Sequence, residues 1–314
     1  MTREKIFDVI IIGGSYAGLA AAMALGRSLR TVLVIDSGIP CNRQTPYSHN
    51  FITHDGKTPQ EILTLARAQV ERYDTVTFVP GIVSSGKEVG NGFEIHTTAG
   101  DRFHAGKLIF ATGINDVMPD IPGYAECWGI SVLHCPYCHG YEVRNMRTGL
   151  LGNGDYGFEF SGLISNWTSD LTLYTNGKAT LSAAQRAALS TRGIETVEKE
   201  IKALEHHQSR LQKIIFSDGT TVALQTLYAK NGFVQHCPVP EMLGCDMTDG
   251  YIVVDNLQKT SVPGVFACGD NASRMRTVAN AVGSGTTAGM TANKEFVLER
   301  FSNAVSPDLV EPPK

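Results

Sequence analysis

One local pattern occurs twice in this chain: a short apolar strand, a glycine-rich turn and a helix. In the first copy Phe7 to Ile12, with the β-branched run Val9-Ile10-Ile11-Ile12, leads into Gly13-Gly14-Ser15-Tyr16-Ala17-Gly18, and an alanine-rich helix continues to about Leu29. A second apolar run, Thr31 to Ile35, closes the unit and ends at Asp36. In the second copy Gly149 to Leu151 precedes Gly152-Asn153-Gly154-Asp155-Tyr156-Gly157, and Leu171 to Tyr174 is the next strand. Glycines at this spacing let backbone turn tightly and come close to a diphosphate, while the helix start turns N–H groups and positive dipole toward it. An acid about 20 residues past the first glycine is placed to accept from a ribose hydroxyl, which is the position of Asp36. The first turn departs from G-x-G-x-x-G in one place, since Ser15 stands where the middle glycine is usual.

Each copy is succeeded by a hairpin and a further strand. Phe93 to Thr98 and Arg102 to His104 alternate around Ala99-Gly100-Asp101 as a hairpin, and a strand Lys107 to Ala111 stops at Thr112-Gly113. Leu211 to Phe216 and Thr220 to Ala223 make the matching hairpin around Ser217-Asp218-Gly219, with Leu227 onward leading to Gly232. Gly250 to Asp255 and Gly264 to Asp270 read as later strands, and Thr277 to Phe301 as a long helix whose early small residues suit close approach by a flat ligand. The fold class expected is α/β, with two Rossmann-like, three-layer ββα dinucleotide-binding domains, the second inserted into the first. The expected boundaries are 1–115 with 245–314 for the outer domain and 116–244 for the inserted one. From Asn303 onward, Pro307, Pro312 and Pro313 read as a loose tail.

Composition excludes several classes. Thirty-one acidic against 27 basic residues leave a net charge of -4, with no basic excess for a nucleic-acid backbone. Val9 to Gly26 approaches membrane-span length, but the glycine turn divides it into strand and helix, so no membrane partner is expected. Asp8 interrupts the apolar run and no small-residue cleavage site precedes it, so the expected location is cytoplasmic. Seven cysteines in 314 residues make no disulfide scaffold. Cys41, Cys127, Cys237, Cys245 and Cys268 are scattered and read as small buried thiols.

Cys135 and Cys138 differ, lying in His134-Cys135-Pro136-Tyr137-Cys138-His139-Gly140 shortly before the second glycine turn. A disulfide across this spacing closes a ring too small to add much stability, so it can cycle readily. The run also matches C-x-x-C-H, the c-type haem attachment pattern, but sits between two nucleotide units with no export signal. Zinc would need two further ligands, and no second Cys-x-x-Cys exists, so no metal is expected. A flavin-bearing sensor, whose cysteines alter a partner surface without turnover, is the non-enzymatic alternative.

The order of glycine turn, Ala111-Thr112-Gly113, Cys-x-x-Cys, second glycine turn and Gly269-Asp270 resembles the low-molecular-weight thioredoxin reductases, from about residue 6 to 300. That resemblance implies an FAD-dependent disulfide oxidoreductase and a homodimer. It implies that Gly13, Gly14, Ser15 and Gly18 cradle the FAD pyrophosphate and that Asp36 binds the adenosine ribose. Asn50 would lie beside the isoalloxazine, with Thr112 and Gly113 lining the cofactor after the central strand. Gly269 and Asp270 would take the ribityl side, and Thr277 and Val278 would open a helix whose dipole stabilises reduced flavin. Cys138 would exchange electrons with the flavin, and Cys135 with a thioredoxin-like protein or small dithiol or disulfide.

Two departures stand out. His139 replaces the acidic residue that usually comes after the second cysteine, and an imidazole there can act as base or, protonated, favour a thiolate. After Tyr174, Thr175-Asn176-Gly177-Lys178 supplies neither the guanidinium groups for an NADPH 2′-phosphate nor a carboxylate for an NADH ribose, which argues against NADPH use. Cys-Pro-Tyr-Cys-His-Gly-Tyr-Glu resembles the motif of flavin-dependent dithiol oxidases of the gliotoxin and holomycin type, and ferredoxin-dependent relatives also lack the arginine stretch. Oxygen and ferredoxin therefore join the expected redox partners. Glu205, His206 and His207 read as a solvated face, and Arg274 and Arg276 as a partner contact or solvent-facing pair.

Overall fold

The structure, a computed structural model, describes residues 6–304 and divides into two compact units. One comprises residues 1–41, 60–115 and 234–314, the other 42–59 and 116–233. The second unit therefore interrupts the first along the chain. The partition moves residues 234–244 into the outer unit and takes 42–59 from it, the latter a loop stretch closed by the single bridge Ser48–Lys57, which sequence pattern could not allot. The loose tail expected from Asn303 lies largely outside the described residues.

In the outer unit, Ile6–Ile12 pairs in parallel with Val32–Asp36 on one side and Arg102–Phe110 on the other. Val76–Pro80 extends the sheet beyond Val32–Asp36. The far edge of Arg102–Phe110 is shared: Gly92–Thr97 pairs antiparallel to its first half and Val265–Ala267 parallel to its last residues. Val83–Val89 completes the antiparallel ribbon. The separate strands expected at Arg102 to His104 and Lys107 to Ala111 are thus one strand. Gly106, which reads as a break, lies where a Cβ would stand 3.2 Å from the Phe296 ring, so it admits the last helix.

Strand alternation sets the layers. Ile10, Ile12, Leu33, Ile35, Leu108, Phe110, Val265 and Ala267 belong to one buried cluster, which Val239, Cys245 and Ile252 join. Helix Tyr16–Arg27 runs against the last helix, Val278–Ala304. A Cβ on Gly285 would stand 2.1 Å from the Ala17 carbonyl oxygen, and one on Gly289 2.6 Å from that of Ala21. These small residues serve helix-on-helix approach rather than the ligand contact expected of them; of the three glycines only Gly283 faces open space. Buried Lys107 ties the same helix to the sheet through Glu295 (3.0 Å) and Glu299 (2.6 Å). Tyr251–Ile252 is shorter than the strand expected from Gly250 to Asp255.

The inserted unit repeats the plan with an all-parallel sheet: Glu195–Val197, Leu171–Tyr174, Thr148–Leu151, Thr226–Ala229 and Val132–Leu133 in spatial order. An antiparallel ribbon of Ile201–His207, Arg210–Phe216 and Thr221–Ala223 covers it. Glu205, His206 and His207 are therefore on a strand, with His206 Nδ1 buried, and form no uniformly solvated face. Among the described residues no helix is long and apolar enough to cross a membrane.

Candidate functional site

The first glycine turn is fixed by backbone that leaves no room for side chains. A Cβ on Gly18 would stand 1.8 Å from the Gly13 carbonyl oxygen, and one on Gly13, whose φ is +102°, 2.3 Å from that of Ala111. Gly14 donates its N–H to Asp36 Oδ1 at 2.9 Å, and a Cβ there would press on the Asp36 side chain. Ser15 is the N-cap of the succeeding helix, yet its side chain makes no capping hydrogen bond. A bare, side-chain-free turn at an uncapped helix start, with a carboxylate beside it, is a cradle that fits the diphosphate and ribose of FAD.

The remaining outer-unit positions converge on the ends of the central strands. Thr112 Oγ1 accepts from Asn271 Nδ2 at 3.3 Å, and the same amide donates to the Phe110 carbonyl at 2.9 Å. Gly113 and Gly269 both adopt positive φ, and Gly269 donates to Ser284 Oγ at 3.1 Å. Asp270 lies 3.6 Å from Arg276 Nε, both side chains being largely buried. Thr277 caps the last helix by accepting from Asn280 N at 3.1 Å, and Val278 is that helix's first residue. Sequence reading missed Asn271, which ties the strand end to the loop bearing Asp270, and left Arg276 undecided; adjacency to Asp270 and the helix start was the available signal.

Cys135 and Cys138 form a disulfide in the inserted unit, with Cα atoms 5.3 Å apart. Cys135 is the N-cap of the short helix Pro136–His139, and Cys138 donates its N–H to Cys135 Sγ at 3.2 Å. Pro136 suits the first helical position because it has no N–H to satisfy. Gly140 packs against Trp167, where a Cβ would stand 2.9 Å from the indole, and Tyr137 meets the same indole edge-on with centroids 5.6 Å apart. Burial, then repulsion from His49, pushes His139 down to about 4, so the imidazole is neutral at pH 7. At neutral pH the ring is thus in the form that can accept a proton, and not in the imidazolium form.

His49 reaches this region from the 42–59 segment, with Nε2 3.5 Å from Glu142 and Nδ1 3.6 Å from Asp55. Asn50 lies in the same segment, exposed, with φ +59° and its N–H donated to Asp55 Oδ1 at 2.7 Å. It thus groups with the inserted unit, whereas the other expected cofactor residues belong to the outer one. Glu142 could have been found by its position one turn after His139; Asp55 gave no signal in the sequence.

Four of the other cysteines are made inert by burial, which pushes Cys127 and Cys245 up, Cys237 up to about 11 and Cys268 up to about 12. Cys41 departs from its expected burial: it lies in the loop after the first unit's second strand and is exposed.

The second glycine turn is occupied by the chain itself. Asn153 caps Gly154–Ile164, its Oδ1 accepting from Gly154 N at 2.8 Å, Thr180 N at 2.8 Å and Thr180 Oγ1 at 3.1 Å. Asp155, in the helix's first turn, accepts from Gln185 at 2.7 Å. The Tyr156 ring lies over Gly152, 2.9 Å from where a Cβ would be, and stacks on Phe160. Arg186, beyond the strand end at Tyr174, is engaged by Glu198 at 2.7 Å and by the Ala179 carbonyl.

Comparison with known proteins agrees with this geometry. Residues 7–285 match the family model described as pyridine nucleotide-disulphide oxidoreductase. The chain is 36% identical to the thioredoxin reductase tcpT of Claviceps purpurea, over 95% of this chain and 97% of that protein. The crystal structure of HlmI, 34% identical, superposes with a TM-score of 0.91 over 97% of each chain. An oxidoreductase from Agrobacterium tumefaciens is 38% identical, with a TM-score of 0.88 over 94% of this chain and 99% of that one.

Proposed function

As the chain belongs to the pyridine nucleotide-disulphide oxidoreductase family and is an FAD-dependent thiol-disulfide oxidoreductase of the thioredoxin reductase type, we propose that the Cys135–Cys138 disulfide exchanges with an external dithiol or disulfide. The external partner is a small dithiol or a thioredoxin-like protein. The observation that carries this reading is the disulfide itself, on a short helix with a neutral imidazole attached. FAD, when bound, supplies a two-electron acceptor or donor. The residues proposed to hold it are Gly13, Gly14, Ser15, Gly18, Asp36, Thr112, Gly113, Gly269, Asp270, Thr277 and Val278, with Asn50 brought by its own segment. The outer unit would then be the FAD domain and the inserted unit the carrier of the redox pair.

In the direction of dithiol oxidation, a substrate thiol gives its proton to His139 and its sulfur attacks Cys135 Sγ. The S–S bond breaks, and Cys138 leaves with the electron pair and takes the proton back from His139. The second substrate thiol then attacks the first substrate sulfur in the mixed disulfide, the bond from that sulfur to Cys135 breaks, and the second thiol's proton passes to the departing Cys135. Two electrons and two protons have then moved from substrate to protein, and the substrate has become a disulfide. Because His139 stays neutral down to about pH 4, the rate should show no loss near pH 6.5 and should fall as pH drops through about 4.

The description of the family model points to a pyridine nucleotide as electron source, whereas this chain's residues argue against NADPH. Arg186 is already paired with Glu198, and Asn153 and Tyr156 occupy the second turn. The other redox partner is then ferredoxin or oxygen. A cytoplasmic location accords with four buried thiols outside any disulfide. A homodimer is supported by Met290, Val297, Leu298 and Phe301, an exposed apolar stripe on the last helix.

Anaerobic titration of the bound flavin with NADPH, NADH, reduced ferredoxin and small dithiols separates these readings. Dithiols should bleach it, and Cys138→Ser should abolish that bleaching while FAD remains bound. Bleaching unchanged in Cys138→Ser would remove the pair from the electron path, and rapid bleaching by NADPH would restore the ordinary reductase.

A further inference from the structure

The helix that bears the redox pair, Pro136–His139, is a single turn, and a turn of that length does not hold itself. In the oxidised protein the Cys135–Cys138 bond closes it. That bond breaks in every cycle, so what keeps the two sulfurs in place afterwards must lie outside the ring. Trp167 meets the turn twice. The Tyr137 ring stands edge-on to the indole, centroids 5.6 Å apart and planes at 90°. Gly140 lies so close to the same indole that a Cβ would stand 2.9 Å from both Cε2 and Nε1. The chain beyond is tied to the same place, since Asn145 donates its N–H to the Trp167 carbonyl at 2.9 Å and Thr168 Oγ1 donates to the Met146 carbonyl at 2.8 Å. Trp167 is itself anchored through its N–H, given at 2.9 Å to the carbonyl of Ile164, a buried member of the inserted unit's core. Tyr137 is exposed, so the indole rather than a surrounding core orients its ring.

We propose that Trp167 is a positioning residue for the thiol chemistry: it keeps the redox turn in its oxidised geometry once the disulfide is open, so that the Cys138 N–H still points at Cys135 Sγ. The proposal rests on the thiol-disulfide reading of Cys135 and Cys138. Cys135 carries negative charge as it departs from a mixed disulfide, or as it attacks one in the reverse direction. The Cys138 amide lies 3.2 Å from that sulfur, and a hydrogen bond to an ionised acceptor is stronger than one to a neutral atom. The bond therefore counts for more in the reduced pair than in the disulfide. Contacts that preserve it favour the dithiol and raise the potential of the pair. They also spare each half-reaction the search for a productive sulfur position.

The test is the anaerobic equilibrium of the Cys135–Cys138 pair with glutathione buffers at pH 7 in the FAD-loaded protein, read by alkylating free thiols and weighing the product. Trp167→Ala should move the constant about tenfold toward the disulfide, about 30 mV lower in potential, whereas Trp167→Phe, which keeps a ring at the site, should stay within about threefold of wild type. Tyr137→Ala alters an exposed side chain and leaves the core alone; it should shift the constant the same way, about threefold, and add little in a Trp167→Ala background. Amide exchange supplies a readout that packing alone would not move: in Trp167→Ala the N–H groups of Cys138, His139 and Gly140 should lose protection only after reduction. An unmoved constant in Trp167→Ala, or in Tyr137→Ala should the first variant not fold, would overturn the proposal. So would protection lost equally in both redox states, or a phenylalanine no better than alanine. Failure of the wild-type disulfide to exchange with glutathione at any ratio would instead bring down the underlying reading, and this inference with it.

Discussion

Two turns built to one pattern hold different things. At Gly13 to Gly18 the glycines are demanded by backbone: Cβ atoms would strike the carbonyl oxygens of Ala111 and Gly13. The N-cap Ser15 contributes no capping bond, so the helix start remains open to an anion. At Gly152 to Gly157 the spacing is the more regular of the two, yet Gly152 is covered by the ring of Tyr156, and Asn153 commits its side chain to Gly154, Thr180 and Lys178. The turn with the imperfect motif is therefore the more open of the two. Glycine spacing records that a strand can meet a helix closely; the intervening residues decide whether a ligand can enter.

The largest expected contrast comes from alanine at the last glycine of each turn. In Gly18→Ala the new methyl would lie 1.8 Å from a backbone oxygen that cannot move without breaking the turn, so a loss of at least about 3 kcal/mol and of bound FAD is expected. In Gly157→Ala the nearest atom is the Gly152 carbonyl carbon at 3.1 Å. There a modest strain is set against a helix-propensity gain of about 1 kcal/mol, and the protein should stay yellow with stability changed by less than about 1 kcal/mol. Flavin absorbance after gel filtration and the urea midpoint measure both; equal losses in the two variants would erase the distinction between the turns.

A middling effect should come from opening the second turn. Tyr156→Ala with Glu198→Gln removes the ring over Gly152 and frees Arg186 from its carboxylate. If occupancy by these side chains is what closes the site, NADPH binding should become measurable by fluorescence titration in the double variant and be absent from wild type. NADPH binding to the unmodified protein would contradict the occlusion directly.

The sequence revealed both turns because β-branched strands, glycines and an alanine-rich helix are local features. Asp36 was legible for the same reason, as was the cysteine pair. Other elements depended on distant neighbours. Val83–Val89 (VSSGKEV) lacks an apolar alternation and is a strand because Gly92–Thr97 pairs with it. Ile201–His207 carries its apolar positions irregularly across bulges, so a real strand read as polar surface. The 42–59 segment has no periodicity by which to place it, and only the fold brings His49 to Glu142. Arg276 and Asn271 were visible as residues but acquired partners only when the strand ends converged.

The smallest contrast tests the caps themselves. Asn153→Ala removes an acceptor for three donors, Gly154 N, Thr180 N and Thr180 Oγ1, and should cost about 1 kcal/mol. Ser15→Ala removes a side chain that makes no capping bond, so its cost should stay within a few tenths of a kcal/mol. Amide exchange in the first turn of each helix reads these effects locally, independently of global unfolding. If Ser15→Ala loosened its helix as much as Asn153→Ala, the first helix start would be closed by its own serine, and the contrast between an open and a filled turn would have to rest on Tyr156 alone. Should Asn153→Ala leave its helix unchanged, the second turn would be shown to need no internal cap, and its filling would reflect the bulk of the tyrosine rather than satisfied backbone donors.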